Sequence, residues 1–298
     1  MSDQAPGSRD PFSHYRDELS AVGFKPSTSR GQNFLLDPSL HRWIAEQAGA
    51  TEADTVVEIG VGLGFLTREL AVRAGKVLAV EIEPRLLAIA KRELAGADNI
   101  EWLLADGLGG PGRTLAPRIS EVAEACTGRL LVVANLPYSV SGPMLAELAQ
   151  LSRMPDRIVV LVQKELGQRL AAAHGSGTYG GLSGLMQSMF VARSLRDVSP
   201  SVFRPRPKVW SSIIGLDRRT EVPAELLPAP SRRRFALFLR KLFGQRRKTL
   251  RRTFALAKEA LERPDAALRE EWSGKRAEEL SPDELVALWT DCEGQSSV

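Results

Sequence analysis

Asn135-Leu136-Pro137-Tyr138 follows the apolar run Leu130-Leu131-Val132-Val133-Ala134, which reads as a buried parallel strand. An amide, a proline and an aromatic ring at the carboxyl end of such a strand can activate an exocyclic amine. The N6 amine of adenine is a poor nucleophile because its lone pair is delocalised into the ring. Two carbonyl oxygens accepting its two N–H bonds, the Asn135 side chain and the Pro137 backbone, would turn that lone pair toward an electrophile. Tyr138 would hold the base flat by stacking, worth about 1–3 kcal/mol. Asn-x-Pro also forms strand-ending turns, and the tetrapeptide alone does not choose between these uses.

A second set of residues places carboxylates at the ends of three strands. Glu58-x-Gly60-x-Gly62-x-Gly64 closes the strand Val56-Val57-Glu58-Ile59 and opens a helix from about Phe65. Glycines here let the backbone approach a ligand at the switch point of an α/β sheet. Glu81 ends the next strand, Val77 to Glu81, where an acid accepts from both hydroxyls of a ribose. Asp106 follows Ile100 to Leu104, where a carboxylate accepts from an adenine amino group. Gly-x-Gly-x-Gly departs from the Gly-x-Gly-x-x-Gly dinucleotide fingerprint, and the loop has no basic residue for a pyrophosphate. The three acids together favour S-adenosylmethionine over NAD, although each alone could be an ordinary surface carboxylate.

These residues need a scaffold that brings strand ends together, and the first two-thirds of the chain alternates strand-like and helix-like segments. The strands above are joined by Arg157 to Val162, with helices entered at Pro84 and about Pro143. Such alternation predicts a doubly wound parallel sheet with helices on both faces. Leu108 to Gly128 reads as a loop insertion with one helix over Ile119 to Ala125. Ser199 to Lys208, with three prolines, is expected to be a stiff extended loop without regular structure, before a last strand from Ser211 to Leu216 as an antiparallel partner. Asp37 is placed to cap a helix before Pro38. Further on, Phe235, Leu239, Leu242 and Phe243 form one helical stripe, and Gly244 is expected to break it into two helices. Ser281-Pro282-Asp283-Glu284 starts a final helix ending near Trp289. The expected organisation is a loose tail over residues 1–20, a catalytic unit over 21–220 and a basic helical unit over 221–298.

Of 40 Lys and Arg, eleven lie between Leu226 and Lys258, a stretch without Asp or Glu. The remaining 29 face 36 acids, so the rest of the chain carries −7 and the excess positive charge is local. A solvated helix face would interleave acids for i,i+4 pairing, so a nucleic acid is the expected partner. Arg246, Arg247, Lys248 and Arg251 are the candidate RNA contacts, the first three expected at the first turn of a helix after Gly244. Cys126 and Cys292 give neither a disulfide framework nor zinc spacing, and His14, His41 and His174 are scattered, so no metal is expected. No run of about 18 apolar residues offers a membrane span, and the polar start lacks a signal-peptide layout. Reduced cytoplasm is the expected compartment and a monomer the expected state.

Gly31-Gln32-Asn33-Phe34-Leu35, Glu58 to Gly64, Asn135-Leu136-Pro137-Tyr138, Gln163-Lys164-Glu165, Phe203-x-Pro205-x-Pro207-Lys208-Val209 and Gln245-Arg246-Arg247-Lys248-Thr249-Leu250 together resemble the KsgA-type (RsmA) rRNA adenine N6,N6-dimethyltransferases. The resemblance runs from about Pro26 to Leu288, and its first and last segments are the most specific. It implies a Rossmann-like class I S-adenosylmethionine-dependent methyltransferase domain followed by a small all-helical C-terminal domain. It further implies cofactor contacts from Asn33, Leu35, Gly60, Gly62, Glu81, Asp106 and Asn135, and a Phe203 ring that sandwiches adenine against Tyr138. Plain loop packing is the other use of Phe203. The implied reaction is dimethylation of two adjacent adenosines in the 3′-terminal hairpin of small-subunit (16S) rRNA, on a 30S assembly intermediate. Val61 stands where the family often has Pro, the Leu108 to Gly128 loop is longer than usual, and Trp210 stands where many members carry Asp. Alternatives are an Erm-type large-subunit adenine methyltransferase, which usually lacks the Gln-Arg-Arg-Lys-Thr segment, and a DNA adenine methyltransferase, whose Asp/Asn-Pro-Pro-Tyr site Leu136 does not match. A third is a non-catalytic assembly factor on the same fold.

Overall fold

Valine, leucine and isoleucine runs form the central strands, and their side chains alternate between two cores with the period of two that a pleated strand imposes. The computed structural model describes residues 19–20, 23–24 and 33–294; Gly31 and Gln32 of the first motif lie outside them. The strands are β1 (Phe34–Leu35), β2 (Thr55–Ile59), β3 (Lys76–Glu81), β4 (Ile100–Leu104), β5 (Leu130–Asn135), β6 (Arg157–Gln163), β7 (Phe190–Val198), β8 (Phe203–Arg204) and β9 (Ser211–Arg218). Seven of them make one sheet in the order β4-β3-β2-β5-β6-β9-β7. The first five run parallel, and β9 is antiparallel to both β6 and β7. Val57, Leu78, Val132 and Ile158 enter one core. Val56, Val77, Leu131 and Val159 enter the other.

Strand order reverses direction between β2 and β5, which pair through Ile59 and Ala134 at their carboxyl ends. A crevice opens at such a switch point, and ligands of open α/β sheets bind there. The helix Pro38–Ala48 starts where expected: Asp37 accepts from the Ser39 and Leu40 amides at 2.9 and 3.2 Å. Gly60 and Gly62 both have positive φ, +87° and +58°, which a side chain would strain.

The segment after β7 is more ordered than its prolines suggest. Pro200–Val202 forms a 3₁₀ turn and β8 pairs antiparallel with β1, Leu35 opposite Phe203. Ser211–Arg218 is the last strand among the described residues and antiparallel as expected, and it lies inside the sheet, between β6 and β7. Two helices that the sequence did not announce, Lys164–Leu170 and Gly181–Gln187, fill the interval before β7.

At the C-terminal end, helices Ala229–Leu242, Leu250–Ala260, Glu270–Ser273 and Pro282–Glu293 follow one another. The break falls at Gly244, inside a 3₁₀ turn over Phe243–Gln245. The final helix runs past Trp289 to Glu293, and Ser281 and Glu284 form its capping box. Phe235, Phe238, Leu239 and Leu242 join the same core as Tyr179, Leu185 and Met186 of the preceding segment. Burial of each such ring or aliphatic side chain contributes about 1.5–3 kcal/mol, so the helical unit is fixed to the sheet unit by a continuous apolar interior.

Candidate active site

A cavity of about 500 Å³ occupies the crevice at the carboxyl ends of β2, β3, β4 and β5. Asn33, Leu35, Gly60, Gly62, Glu81, Asp106, Asn135 and Pro137 all line it, although they come from separate stretches of chain. Sheet geometry explains the convergence. Parallel strands in register end on one edge, so residues that terminate them face one crevice.

The acids in this cavity differ in environment. Both oxygens of Glu81 accept backbone amides, Oε2 from Gly62 at 2.8 Å and Oε1 from Ile82 and Glu83 at 2.9 Å each. Oε2 keeps a lone pair for a further donor. Burial still pushes the Glu81 carboxyl above the ordinary carboxylate range, against those amides. Glu58 is 1% exposed, and neither of its oxygens has a hydrogen-bond partner among the described residues. Burial raises the Glu58 carboxyl to about 8, with the neighbouring Thr67 hydroxyl, which makes no full hydrogen bond to it, opposing the shift and the Glu81 charge adding to it, so it is protonated at neutral pH. Asp106 accepts from the Leu108 amide through Oδ1 at 2.9 Å. Asn33 Oδ1 is buried and unpartnered among the described residues.

At the Asn135 turn, the Asn135 Nδ2 donates to the Asn33 carbonyl at 3.5 Å. Its Oδ1 carries no hydrogen bond among the described residues. Pro137 departs from its expected role. Its carbonyl already accepts from the Val140 amide at 3.1 Å and the Ser141 hydroxyl at 2.9 Å, which closes the turn into the helix Ser141–Leu148. Both lone pairs are engaged, so this oxygen is a poor acceptor for an incoming amine. Leu136, one residue back, has a carbonyl that accepts nothing among the described residues. Tyr138 is half-buried beside the lining residues Pro137 and Ser139, and its hydroxyl bonds Ser211 Oγ at 2.8 Å.

Phe203 does not meet the expectation of a ring that sandwiches adenine. It is 1% exposed and packs in the core with Leu35, Ile44, Leu161 and Val198, outside the cavity lining. Pairing of β8 with β1 turns its ring inward, and the apolar core holds it there.

Residues 23–271 match the ribosomal RNA adenine dimethylase family. This chain belongs to that family. It is 40% identical over 228 residues to the ribosomal RNA small subunit methyltransferase A of Moorella thermoacetica, across 76% of this chain and 78% of that one. Its fold is shared with a dimethyladenosine transferase from Plasmodium falciparum (TM-score 0.67, 23% identity, 86% of this chain and 95% of that one). It is also shared with the 23S rRNA methyltransferase ErmE (TM-score 0.61, 24% identity, 87% of this chain and 99% of that one). At these identities the two structures speak to the fold alone. Ribosomal RNA adenine dimethylases use S-adenosylmethionine, and the cavity fits that group. It offers an unpartnered amide oxygen at Asn33, an unpartnered acid at Glu58 and a lone pair at Glu81, beside the apolar residues Ile59, Ile82 and Leu86.

The basic stretch of this dimethylase is only partly a surface device. Arg232 is fully buried and donates to the carbonyls of Leu151, Ser152, Leu226 and Leu227. Arg234 is tied to Glu293 at 2.7 Å. Arg233, Arg240, Lys241, Arg246, Arg247, Lys248, Arg251 and Arg252 are exposed. Arg246, Arg247 and Lys248 do not sit in a first helical turn. Thr249 is the extended N-cap of the helix Leu250–Ala260, so the three cations precede that helix in a turn. Arg246 donates to the Gly177 and Tyr179 carbonyls at 2.7 and 3.0 Å. Arg251 lies 3.8 Å from Glu270.

Among the lining residues that had no signal in the sequence are His41, Ser139 and Met144. His41 is buried with Nε2 2.9 Å from the Leu35 carbonyl, and burial depresses its basicity, so the ring is neutral. Met144 and Ser139 reach the cavity from the segment after Tyr138. The helix pattern around His41 and Met144 is that of ordinary core positions.

Proposed function

We propose that this dimethylase transfers two methyl groups to N6 of each of two adjacent adenosines in the 3′-terminal hairpin of small-subunit rRNA, on an assembly intermediate of that subunit. The observation that carries the reading is Asn135 at the carboxyl end of β5, on the cavity wall with its Oδ1 unengaged. Bound S-adenosylmethionine supplies a methyl group on a sulfonium, an electrophile strong enough for direct displacement. Glu81 and Asp106 would accept from its ribose and its adenine amino group. Asn33, Leu35, Gly60 and Gly62 would complete the pocket. Asn135 Oδ1 and the Leu136 carbonyl would accept the two N–H bonds of the target amine and turn its lone pair toward the methyl group. Tyr138 would stack on the base, unstacked from its RNA as other base-modifying enzymes require. The gain comes from holding the reactants in line, and the methylated amine loses its proton to water.

We assign catalysis to residues 21–220 and RNA positioning to 221–298, where Arg246, Arg247, Lys248 and Arg251 are exposed. Of the tail expected over residues 1–20, residues 1–18 lie outside the described residues, and its end does not fit: Leu19 is buried with Phe24, Phe34 and Leu86, so it belongs to the folded unit. No metal enters the proposed mechanism, because a sulfonium gives up its methyl group without a Lewis acid. We further propose a monomer that works in the cytoplasm, where its RNA is assembled. No helix among the described residues is long and apolar enough to cross a membrane.

The small-subunit reading is favoured over a large-subunit one by the 40% identity to a small-subunit methyltransferase. Wild type and Asn135→Ala should be incubated with small- and large-subunit particles from a strain lacking the gene, together with the cofactor, and the RNA digested to nucleosides. N6,N6-dimethyladenosine should form from the small-subunit RNA only. The variant should turn over at less than a tenth of the wild-type rate, because one orienting acceptor supplies at least the ~1.4 kcal/mol of a tenfold change. Product from large-subunit RNA, or a variant above a tenth of wild type, would overturn the assignment.

A further inference from the structure

The loop from Arg204 to Trp210 presents Arg204, Arg206, Lys208, Val209 and Trp210 to solvent, without an acid among them. Trp210 is 51% exposed, an unusual state for the largest apolar side chain. Its position is fixed by the sheet. The Lys164 amide donates to the Trp210 carbonyl at 2.9 Å, and Ser211, the next residue, opens β9 opposite Gln163. Because β9 runs antiparallel, its first residue lies on the edge where β5 and β6 end. Trp210 therefore stands two strand spacings, about 10 Å, from the Asn135 strand. Ser211 Oγ holds the Tyr138 hydroxyl, so the loop adjoins the aromatic side of the proposed target pocket.

The ring is also held in place. Lys164 Nζ sits over it, 5.8 Å from the centroid, and is itself paired with Asp197 at 2.6 Å. Asp197 in turn accepts from Ser212 Oγ at 2.5 Å. An ammonium over a ring that stays half exposed leaves an aromatic surface flanked by cations. Arg206 and Lys208 make no ion pair among the described residues, and Arg204 bonds only backbone carbonyls there.

We propose that Trp210 is a stacking platform for an unpaired nucleobase next to the methylated adenosines, with Arg206 and Lys208 on the adjoining phosphates. This rests on the rRNA reading above and adds to it a residue that places the substrate strand. Charge selects the occupant: a polyanion with π-faced units matches both the cations and the ring, and stacking tolerates any base. Apolar packing against a protein partner would gain nothing from three acid-free cations.

The test uses the full chain and a transcript of the small-subunit 3′-terminal hairpin. Stacking of one base is worth about five- to 150-fold in affinity, so Trp210→Ala should bind the hairpin about tenfold more weakly or worse. Trp210→Phe should recover most of that loss, and cofactor affinity should stay at the wild-type value in both. Removal of an uncharged ring should leave the slope of log affinity against log salt unchanged. Arg206→Gln with Lys208→Gln should lower the slope by roughly 0.7 for each phosphate no longer neutralised. A singly placed 2-aminopurine beside the target adenosines should be quenched by wild type and not by Trp210→Ala. Equal hairpin affinity for wild type and Trp210→Ala, with dimethyladenosine formed by both, overturns the platform and leaves the reaction standing. A Trp210→Ala defect confined to assembled particles, with naked hairpin bound normally, also overturns it and places a protein on this face. Absence of dimethyladenosine when wild type is given small-subunit particles from a strain lacking the gene overturns the reaction and this inference together.

Discussion

Glu58→Gln should stabilise the ligand-free protein strongly at pH 8 and only slightly at pH 5. The carboxyl is buried with only the Thr67 hydroxyl beside it and no full hydrogen bond, and it ionises near pH 8, against an ordinary value of 4.5. Below pH 4.5 both folded and unfolded chains carry this proton, and the group has no pH-linked effect. Between pH 4.5 and 8 the unfolded chain releases it and the folded chain keeps it, so stability falls as pH rises. Each unit of that window costs about 1.36 kcal/mol. From pH 5 to pH 8 the loss is therefore about 3–4 kcal/mol, a large part of the 5–15 kcal/mol typical of a folded domain. Glutamine has nearly the same shape and no titration. Urea unfolding of wild type and Glu58→Gln at both pH values gives two differences in free energy. Subtracting one from the other removes any effect of the amide on packing. A difference that is the same at pH 5 and pH 8 would show that Glu58 is ionised in the folded protein. Retention of so unfavourable a group on the wall of the cofactor cavity is the usual trade of stability for function.

Glu81→Ala should weaken S-adenosylmethionine binding at least tenfold by calorimetry, with hairpin RNA affinity unchanged; equal cofactor affinity would place the ribose elsewhere. Arg247→Gln with Lys248→Gln should leave cofactor binding intact and lower the salt slope of RNA affinity by roughly 0.7–0.9 per phosphate. An unchanged slope would remove the C-terminal helices from the RNA interface. Arg232→Met should destabilise by roughly 2–4 kcal/mol in urea unfolding, because it strips the donors from carbonyls of Leu151, Ser152, Leu226 and Leu227. A loss below about 1 kcal/mol would mean that water reaches those carbonyls.

Strands β2, β3, β5 and β6 were legible because each is buried on both faces and so reads as a largely apolar run, whereas β4, an edge strand without a buried residue, was read from its apolar residues alone. Edge strand β7 was not. Only Phe190 and Val198 at its ends are buried, and the residues between carry no apolar alternation. The helix Gly181–Gln187 was hidden by its glycines, which signal weak helix propensity. Gly184 is there for space: a Cβ would lie 2.7 Å from Leu285 Cδ1. The cofactor residues could be read from sequence because strand ends are set locally and the sheet then gathers them. Phe203 could not, since its direction depends on pairing with Leu35, far away in the chain. The Pro137 carbonyl failed for a different reason: its saturation by Val140 and Ser141 is a property of the turn, invisible in residue types. Arg232 is the same lesson for charge, because a basic run does not show which member is turned inward.

The central claim is that this chain makes dimethyladenosine at two adjacent positions of small-subunit rRNA. Mass mapping of that RNA from small-subunit particles of a strain lacking the gene, before and after the particles are treated with the purified protein and S-adenosylmethionine, tests it most directly. The account predicts two adjacent unmodified adenosines near the 3′ end, each gaining two methyl groups on treatment. RNA that is already dimethylated in the deletion strain, or that gains methyl groups elsewhere or not at all, would contradict it.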